Sequence, residues 1–431
     1  TTVNAGTVVL ATDTASLGAA NTGTVTFANA TTLETSANAI VANDVQLNGQ
    51  TTVTVSANNS LTINNTVNGD GGLIKLGEGT LTLNAENAYK GKTQINKGKV
   101  IVGHSKSLGD GSASFGAGTE LVTSSAVTLA NDMQLGGIVT VDTGANASTS
   151  STLSGVVSGT GSLKKIGEGS LTLSRANTYT GDTLIDVGTV IVGDNAALGV
   201  NNSAVFSAGT KLETSSAVTL ANQIQLKDGN MTISNTNAID PVTGLMKGIS
   251  LDGVVSGAGM LTKTGTGDLT LSKENTYTGG TSITGGKVVL STNVATLGAN
   301  TAAVTLANTT ILETSATNAT VANAVTLSSG QATLSTASAN SSLTMSNAVN
   351  GTGGLIKDGA GTLTLNGANG YTGNTAINAG TVVLGQSASL GSGAVTLQTG
   401  TTLETAANLD NTIQLTGDGD SSTTTDTVNL V

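Results

Sequence analysis

The 431-residue sequence has no cysteine and no tryptophan, a single proline, and only 2% aromatic residues. Without cysteine the chain cannot form disulfides, thiolate metal sites or a cysteine nucleophile. So few aromatic residues argue against a compact core built around large rings. No apolar run approaches the roughly 20 residues that a membrane-spanning helix needs. These absences exclude several classes of enzyme and membrane protein.

Charge is also scarce, since only 10% of the residues are charged. The 16 lysines and arginines are outnumbered by 27 acidic residues, which gives a net charge of −11. Nucleic acids and anionic membrane surfaces need a basic face, so we exclude both as main partners. The 37% hydrophobic content argues equally against a disordered chain. Because the composition hardly changes along the chain, residues 1–431 are interpreted as one continuous array.

The sequence is organised by a repeated pattern, which we call the tyrosine box. It occurs at 73–91, 163–181, 261–279 and 355–373, with the frame L-x-K-x-G-x-G-x-L-T-L-x-x-x-N-x-Y-x-G. The steps between box tyrosines are 90, 98 and 94 residues, which predicts four to five large repeats. We expect a structural role for the glycines and tyrosines of the boxes. These are Gly77, Gly79, Tyr89, Gly167, Gly169, Tyr179, Gly265, Gly267, Tyr277, Gly359, Gly361 and Tyr371.

Short alternating segments predict an all-β fold. In Thr80-Leu81-Thr82-Leu83 the leucines point to one side and the hydroxyls to the other. Such pieces recur between turn-forming residues, so three strands make a coil of roughly 20 to 24 residues, and about four coils fill one large repeat. We therefore expect a right-handed parallel β-helix, a solenoid of about 20 rungs forming a single elongated rod. A β-sandwich or a string of small β domains is the alternative, but neither explains why similar residues recur in register.

One segment interrupts this rhythm, at 235–250. It contains the only proline, Pro241, and lengthens the distance between successive motifs. We expect a loop that leaves the coil there. Loops on a rigid scaffold often carry recognition, although a tolerated insertion without a role is the simpler interpretation.

The box resembles the passenger-associated transport repeat of autotransporters, the type V secreted proteins of Gram-negative bacteria. All four copies fit, from Lys75, Lys165, Lys263 and Lys357 to the final glycine of each frame. The resemblance implies a β-helical passenger displayed outside the cell, in which the repeat serves secretion and folding of the stalk and not catalysis. The residue bias is also similar to that of self-associating adhesins. We expect the sequence to be a segment without its signal peptide, anchored through a missing C-terminal β-barrel.

The residues offer little for catalysis, metals or cofactors, and we expect none of these. Acidic residues recur singly, about once per large repeat, too far apart for the pair of carboxyls that glycoside hydrolysis needs. These are Glu34, Glu120, Glu213, Glu313 and Glu404. The only histidine, His104, and the only arginine, Arg175, have no companions at useful spacing. One metal candidate, Asp418 with Asp420 and Asp426, is better interpreted as a polar turn.

The sequence therefore predicts a non-catalytic, surface-exposed passenger or stalk that mediates adhesion or cell–cell self-association. Its partners would be copies of itself, or the host-cell surface and extracellular matrix. Its location would be extracellular, on the bacterial surface. A structural surface-layer or filament protein is the first alternative, because repeat ends can pair. A carbohydrate-active β-helix enzyme is the second, and a groove with two carboxyls within reach would favour it.

Overall fold

A computed structural model describes residues 1–13, 17–18, 23–236, 248–385, 390–405, 409–416 and 429–430. The described residues form 50 strands and no helix. They belong to two compact units, Thr1–Val205 and Phe206–Val431, and the boundary between the units falls within one strand, Ser203–Phe206.

The first unit contains 24 complete strands, most of them three to five residues long. They are β1 Thr2–Val3, β2 Thr7–Leu10, β3 Val25–Phe27, β4 Thr31–Thr35, β5 Ala39–Val41, β6 Val45–Leu47, β7 Thr51–Val55, β8 Ser60–Ile63, β9 Val67–Asn68, β10 Leu73–Leu76, β11 Thr80–Leu83, β12 Thr93–Ile95, β13 Lys99–Val102, β14 Ala113–Phe115, β15 Glu120–Thr123, β16 Thr128–Leu129, β17 Met133–Leu135, β18 Val139–Asp142, β19 Ser150–Leu153, β20 Val157–Gly159, β21 Leu163–Ile166, β22 Ser170–Leu173, β23 Thr183–Ile185 and β24 Thr189–Val192. Within this unit the sheet orders are β1-β3-β6-β9, β2-β4-β7-β10-β12-β14-β17-β20, β5-β8-β11-β13-β15-β18-β21-β23 and β16-β19-β22-β24.

The strand at the boundary is β25, Ser203–Phe206, and the second unit continues the same pattern. Its strands are β26 Lys211–Thr214, β27 Val218–Leu220, β28 Gln223–Leu226, β29 Asn230–Ser234, β30 Ile249–Leu251, β31 Val255–Gly257, β32 Met260–Thr264, β33 Asp268–Leu271, β34 Thr281–Ile283, β35 Lys287–Leu290, β36 Val304–Leu306, β37 Ile311–Thr314, β38 Ala319–Val321, β39 Val325–Leu327, β40 Gln331–Thr336, β41 Ser342–Met345, β42 Val349–Gly351, β43 Gly354–Asp358, β44 Thr362–Leu365, β45 Thr375–Ile377, β46 Thr381–Leu384, β47 Val395–Gln398, β48 Thr402–Thr405, β49 Ile413–Thr416 and β50 Asn429–Leu430. Within this unit the sheet orders are β28-β31, β26-β29-β32-β34-β36-β39-β42, β27-β30-β33-β35-β37-β40-β43-β45-β47-β49 and β38-β41-β44-β46-β48-β50.

The described strand pairs are parallel, and each strand pairs with one that lies a single coil further along the chain. Leu73 is aligned with Thr93, and Thr93 with Ala113, so these two successive coils have the same length. Met133 is aligned with Val157, which makes that coil slightly longer. The predicted all-β fold of parallel strands is confirmed as a β-solenoid of about 19 turns. Its right-handedness stays a prediction.

Side chains alternate along each strand between the interior of the coil and its outer surface. In β11, Leu81 and Leu83 are fully buried, whereas Thr80 and Thr82 face outward. Leucine and valine from neighbouring coils stack inside, because parallel in-register pairing places like positions above one another. Truncating one such leucine to alanine would cost about 2 to 5 kcal/mol. The alternating T-L-T-L pattern therefore sets both the strand and its inner face.

The large repeat does not contain a whole number of turns. Box strand β10 shares a sheet with β12, β14, β17 and β20, which takes four coils, and the next box strand, β21, lies one strand later, in a different sheet. In the second unit the same four steps lead from β32 through β34, β36 and β39 to β42, and box strand β43 again follows in another sheet. With three sides to a coil, each large repeat spans about four and a third turns, and equivalent residues move to the next side.

The predicted loop at 235–250 falls mostly outside the described residues, which stop at 236 and resume at 248. At its start Asn235 is buried and donates a hydrogen bond to the carbonyl of Asp268, at 2.6 Å. At its end Ile249 and Ser250 belong to β30. Val218 is aligned with Ile249, so the coil that contains this segment is longer than the coil from Met133 to Val157.

Candidate functional site

Each tyrosine box forms one complete turn of the coil. In the first box, β10 and β11 make two sides, and an extended segment around Tyr89 makes the third. The third side hydrogen-bonds to the preceding coil, because the amides of Ala88 and Lys90 donate to the carbonyls of Val67 and Gly69, both at 2.9 Å. The box is thus an element of the coil, and its lysine, asparagine and tyrosine, here Lys75, Asn87 and Tyr89, lie inside it.

The lysine of each box is completely buried. It lies two residues after an inward-facing leucine, so strand alternation directs it into the coil. In the second box the Lys165 ammonium donates to the carbonyls of Ile166 at 2.9 Å, Gly167 at 2.6 Å and Val187 at 3.0 Å. The third carbonyl belongs to the next coil. Lys75, Lys263 and Lys357 each make the equivalent set of three bonds.

Burial lowers the pKa of all four box lysines from 10.5 to about 8, because removal from water disfavours the ammonium. Nearby carboxylates, such as those of Asp142 and Glu168 beside Lys165, act weakly in the opposite direction. At neutral pH the side chain is still protonated, and an ammonium has three donors for three carbonyls. The lysine is therefore an internal clamp between two successive coils.

The box tyrosines are also buried, with no exposed surface. The Tyr179 hydroxyl lies 2.6 Å from the Thr183 hydroxyl, which donates to the carbonyl of Leu198 at 2.8 Å. The other three boxes repeat this chain of contacts. Burial raises the pKa of each tyrosine, so the phenol stays neutral. A neutral buried phenol bound to threonine is a packing element and offers no reactive group at the surface.

The box asparagine connects its turn to both neighbouring coils. The Asn87 side-chain oxygen accepts from the amide of Val67 at 2.8 Å, and its nitrogen donates to the carbonyl of Ser107 at 2.7 Å. Asn177 and Asn275 make the same two contacts. Each contact spans about one coil of sequence, so the asparagine fixes the spacing of three successive turns.

Two kinds of glycine shape the box turn. The first glycine of each G-x-G has a positive φ, for example +80° at Gly167, where a β-carbon is disfavoured. The second is restricted by space, since a β-carbon at Gly79 would lie 2.2 Å from the carbonyl oxygen of Ser56. All twelve glycines and tyrosines singled out from the sequence therefore lie in box turns, and none of the tyrosines faces a ligand-accessible surface.

In the part of the chain that the structure describes, no tyrosine or phenylalanine ring lies on the outer surface. All four tyrosines are buried in the boxes, and the three phenylalanines, Phe27, Phe115 and Phe206, are 1 to 2% exposed. Stacking of sugars or bases on aromatic rings is therefore excluded. The described surface offers hydroxyls, amides, charges and a few exposed aliphatic side chains such as Ile40 and Ile138.

The recurring glutamates do not form one line. Glu34 lies on β4 and Glu120 on β15, in different sheets of the first unit. Glu213, Glu313 and Glu404 likewise lie in three different sheets of the second unit. The fractional turn of the large repeat separates them around the coil as well as along it. Three of the five bind lysines instead of one another, as in Lys99–Glu120 at 2.9 Å.

The neighbouring strands β33, β35, β37, β40 and β43 hold a shallow cleft of about 330 Å³ on their outer side. In this cleft two carboxylates share one lysine. The Lys287 ammonium lies 3.2 Å from Asp268 and 3.1 Å from Glu313. Burial lowers the pKa of Lys287, but the two carboxylates outweigh burial and raise it overall. Because the lysine occupies the space between the carboxylates, they do not face each other across a substrate-sized gap as a glycosidase pair would.

The remaining candidates lie apart. His104 accepts from the amide of Lys106 at 3.3 Å, and Arg175 donates to the carbonyl of Ser154 at 3.2 Å. Among the described residues, no three histidine or acidic side chains are arranged to hold a metal ion. The metal candidate Asp418, with Asp420 and Asp426, lies outside the described residues. The described part of the chain has no helix that is long and apolar enough to cross a membrane.

Sequence reasoning missed the buried polar side chains of the boxes. Lys165 and Asn177 of the second box, with Thr183 just after it, form hydrogen bonds inside the coil, whereas the structural role predicted from the sequence concerns only the glycines and tyrosines. The sequence does indicate that Lys165 is buried, because it lies two residues after Leu163 and strand alternation places both side chains on the inner side of β21.

Comparison with known proteins agrees with this geometry. Segments 73–102, 163–192, 261–290 and 355–384 match the family model described as passenger-associated-transport-repeat. The chain is 30% identical over 396 residues to the protein described as "Adhesin BmaC autotransporter" from Brucella suis biovar 1 (strain 1330). The alignment covers 85% of this chain, and the chain spans 11% of the length of that relative. No solved structure matches the chain.

The matched segments each contain one box and the two strands that follow it, so the repeat unit of the family coincides with the internally clamped turn and its successor. The similarity to an autotransporter adhesin points to a cell-surface or secreted passenger and gives no indication of catalysis. The chain therefore carries four passenger-associated transport repeats and is similar along most of its length to an autotransporter adhesin.

Proposed function

We propose that this chain is a non-catalytic, extracellular segment of an autotransporter passenger that mediates adhesion, either to host-cell and matrix surfaces or between copies of itself. The similarity to an autotransporter adhesin supports adhesion. One structural observation supports it most directly. The box lysines and tyrosines, whose side chains could otherwise react or bind a ligand, are buried and hydrogen-bonded inside the coil. Rows of threonine and serine cover the outside.

A surface of this kind suits many weak contacts. Outward threonines repeat from coil to coil with the strand spacing of about 4.8 Å, so each additional turn adds another similar contact. Many weak contacts acting together can exceed the strength of any one of them. This supports a binding surface spread over several turns in preference to one pocket.

The box glycines and tyrosines are proposed to be structural. In support, Tyr89 is fully buried, and the glycines of the first box lie at corners where a β-carbon would be strained or would overlap the main chain. Their role in this proposal is to stabilise the turns that present the outer faces.

The test is adhesion of beads that carry the 431-residue chain at high density. We expect them to bind cultured host cells or immobilised matrix protein well above beads that carry an inert acidic protein. Beads carrying heat-denatured chain serve as the second control, since the outer rows exist only in the folded coil. If coated beads adhere no better than both controls, to cells, to matrix and to one another, the adhesive function is wrong.

A further inference from the structure

One outer side of the first unit holds a polar groove, which we call the glutamine groove. It lies across the neighbouring strands β12, β14, β17 and β20 of four successive coils, and its volume is about 380 Å³. Small-molecule sites occupy about 300 to 1,000 Å³, so the groove is large enough for a ligand. It forms because long and short side chains alternate from coil to coil. In register order the outward residues are Gln94, Ser114, Gln134 and Ser158.

The two glutamines stand on either side of the short Ser114. Their main chains are separated by two strand spacings, or about 10 Å, which leaves an open gap between the two amides. Within the part of the chain that the structure describes, the side chains of Gln94, Ser114 and Gln134 have no hydrogen-bond partner. Each amide offers two donors and one acceptor, and the serine hydroxyl offers both functions. The groove therefore presents unused donors and acceptors from three successive coils.

Two opposite charges lie at one end of the groove. Lys92 and Asp132 are the residues just before β12 and β17, and Ser112 lies between them on the coil of β14. One carboxylate oxygen of Asp132 accepts from the amide of Val156 at 2.9 Å, which leaves its other oxygen for a ligand. The two charges offset each other. The groove is thus polar and neutral, although the protein carries a net charge of −11.

The pair of amides is specific to the first repeat. The third residue after the last glycine of the box is Gln94 in the first repeat and Leu184, Ser282 and Ala376 in the other three. Leucine and alanine have no polar group there, and serine is too short to reach across a coil. Because the coil accepts such different side chains at this position, folding does not require the amide of Gln94, which remains free to bind a ligand.

We propose that the glutamine groove binds an uncharged saccharide, such as a short chain of neutral hexoses. This inference rests on the proposed adhesive function, for which it names the ligand class. A glutamine amide can donate to one sugar hydroxyl and accept from its neighbour, and adjacent hydroxyls on a sugar ring supply that pair. A ring that enters the gap has the amides of Gln94 and Gln134 on its two sides and the Ser114 hydroxyl beneath it.

Two other classes of ligand match the groove less well. The apolar residues at the groove, Ala113 and Met133, point into the coil and are only 2 to 3% exposed, so a peptide finds no apolar anchor. An acidic saccharide is repelled by the net charge of −11. A neutral sugar is held by hydrogen bonds without aromatic stacking, so one groove binds weakly and attachment depends on many copies displayed together.

The test uses beads that carry the full chain at high density and soluble polymers that carry glucose, galactose, mannose or N-acetylglucosamine. Wild-type beads are expected to bind at least one of these polymers, and the free sugar is expected to displace it. Gln94→Leu and Gln134→Thr should each reduce binding by about tenfold or more, because a lost contact is multiplied over many copies. Both changes introduce side chains that the chain itself carries at equivalent positions, Leu184 and Thr326, so the variants are expected to fold.

The matched control is Gln225→Thr, which makes the same change at the equivalent position of the next repeat, on β28 and outside the groove. It should bind like wild type. The proposal is overturned if wild-type beads bind none of the neutral polymers, if both groove variants bind undiminished, or if the control loses binding equally. Preference for a sulfated sugar polymer, or for enzymatically deglycosylated matrix protein, would also overturn it in favour of an acidic saccharide or a peptide.

Adhesion of the same beads to host cells separates this inference from the proposed function. Beads that adhere to cells but bind no neutral polymer would retain the adhesive function and remove the saccharide from the glutamine groove. Beads that bind a neutral polymer through the groove but adhere to neither cells, matrix nor one another would retain the saccharide site and remove the adhesive function.

Discussion

The buried lysines make the stability of this protein depend on pH in an unusual direction. The Lys165 ammonium is removed from water and held by three main-chain carbonyls, without a carboxylate in contact. Burial lowers its pKa from 10.5 to about 8. Between pH 8 and 10.5 the folded chain releases this proton while the unfolded chain keeps it. Because the unfolded state then binds more protons, stability rises with pH in this window.

The size of the effect follows from the two pKa values. The difference between 10.5 unfolded and about 8 folded corresponds to about 3 kcal/mol for one lysine. This penalty is complete below pH 8 and relieved by pH 10.5. The rise is limited from above by the buried tyrosines, whose pKa is raised by burial. Above about pH 10 the unfolded tyrosines ionise and the folded ones do not, so stability falls again.

The measurement compares wild type with Lys165→Met, which keeps an unbranched apolar stem and removes the charge. Urea unfolding is followed by circular dichroism from pH 7 to 10 at fixed ionic strength. Other titrating groups cancel in the difference between the two proteins, so wild type is expected to gain about 2.5 kcal/mol relative to the variant between pH 7 and 10. A difference independent of pH would refute the reasoning, because the three carbonyls would then hold the ammonium at its ordinary pKa.

Three further changes test the box and the surface. Tyr179→Phe removes one buried hydrogen bond and should cost about 1 kcal/mol in urea unfolding, whereas Tyr179→Ala leaves a cavity and should cost about 3 to 5 kcal/mol; a Tyr179→Phe variant as stable as wild type would contradict the hydroxyl contact. Gly109→Ala should lower the melting temperature far more than Gly118→Ala. Both glycines have positive φ, but only at Gly109 would a β-carbon lie 2.7 Å from a box tyrosine ring. Similar melting temperatures of the two variants would exclude this packing effect. A double-mutant cycle on Lys99 and Glu120, both partly exposed, should give a coupling below about 1 kcal/mol, and a larger value would mean the pair is shielded from solvent.

The coil itself could be predicted from local patterns. Alternating pairs such as Leu81 and Leu83 fix which side of a strand faces inward, and recurrence of similar pieces at a nearly constant spacing fixes the turn. Both signals are local in sequence, and parallel pairing only repeats them. For this reason the all-β solenoid and its number of turns followed from the sequence.

The lysine clamp did not follow from the sequence, for two physical reasons. Lysine is rarely fully buried, so the strand alternation that places Lys165 on the inner side conflicts with the general preference of lysine for the surface. Its partners are main-chain carbonyls, among them that of Val187 from the next coil, and main-chain groups leave no residue-type signal. Only the folded coil brings them together.

The fractional turn was equally hidden. The lengths of the large repeats are compatible with four coils or with four and a third, because corners absorb different numbers of residues. The prediction of about four coils was close, but it implied a straight line of equivalent positions. Strand pairing was needed to see that box strands β10 and β21 occupy different sheets.

Because each large repeat adds a third of a turn beyond four whole turns, a chain that gains or loses repeats also changes the direction in which its later surfaces point. Gaining or losing one large repeat turns every later outer face to the neighbouring side, so a binding row that met its partner would point elsewhere. Three repeats together amount to thirteen whole turns and restore the original direction. Duplications in multiples of three therefore lengthen the coil while preserving which way its surfaces point, whereas single duplications redirect them.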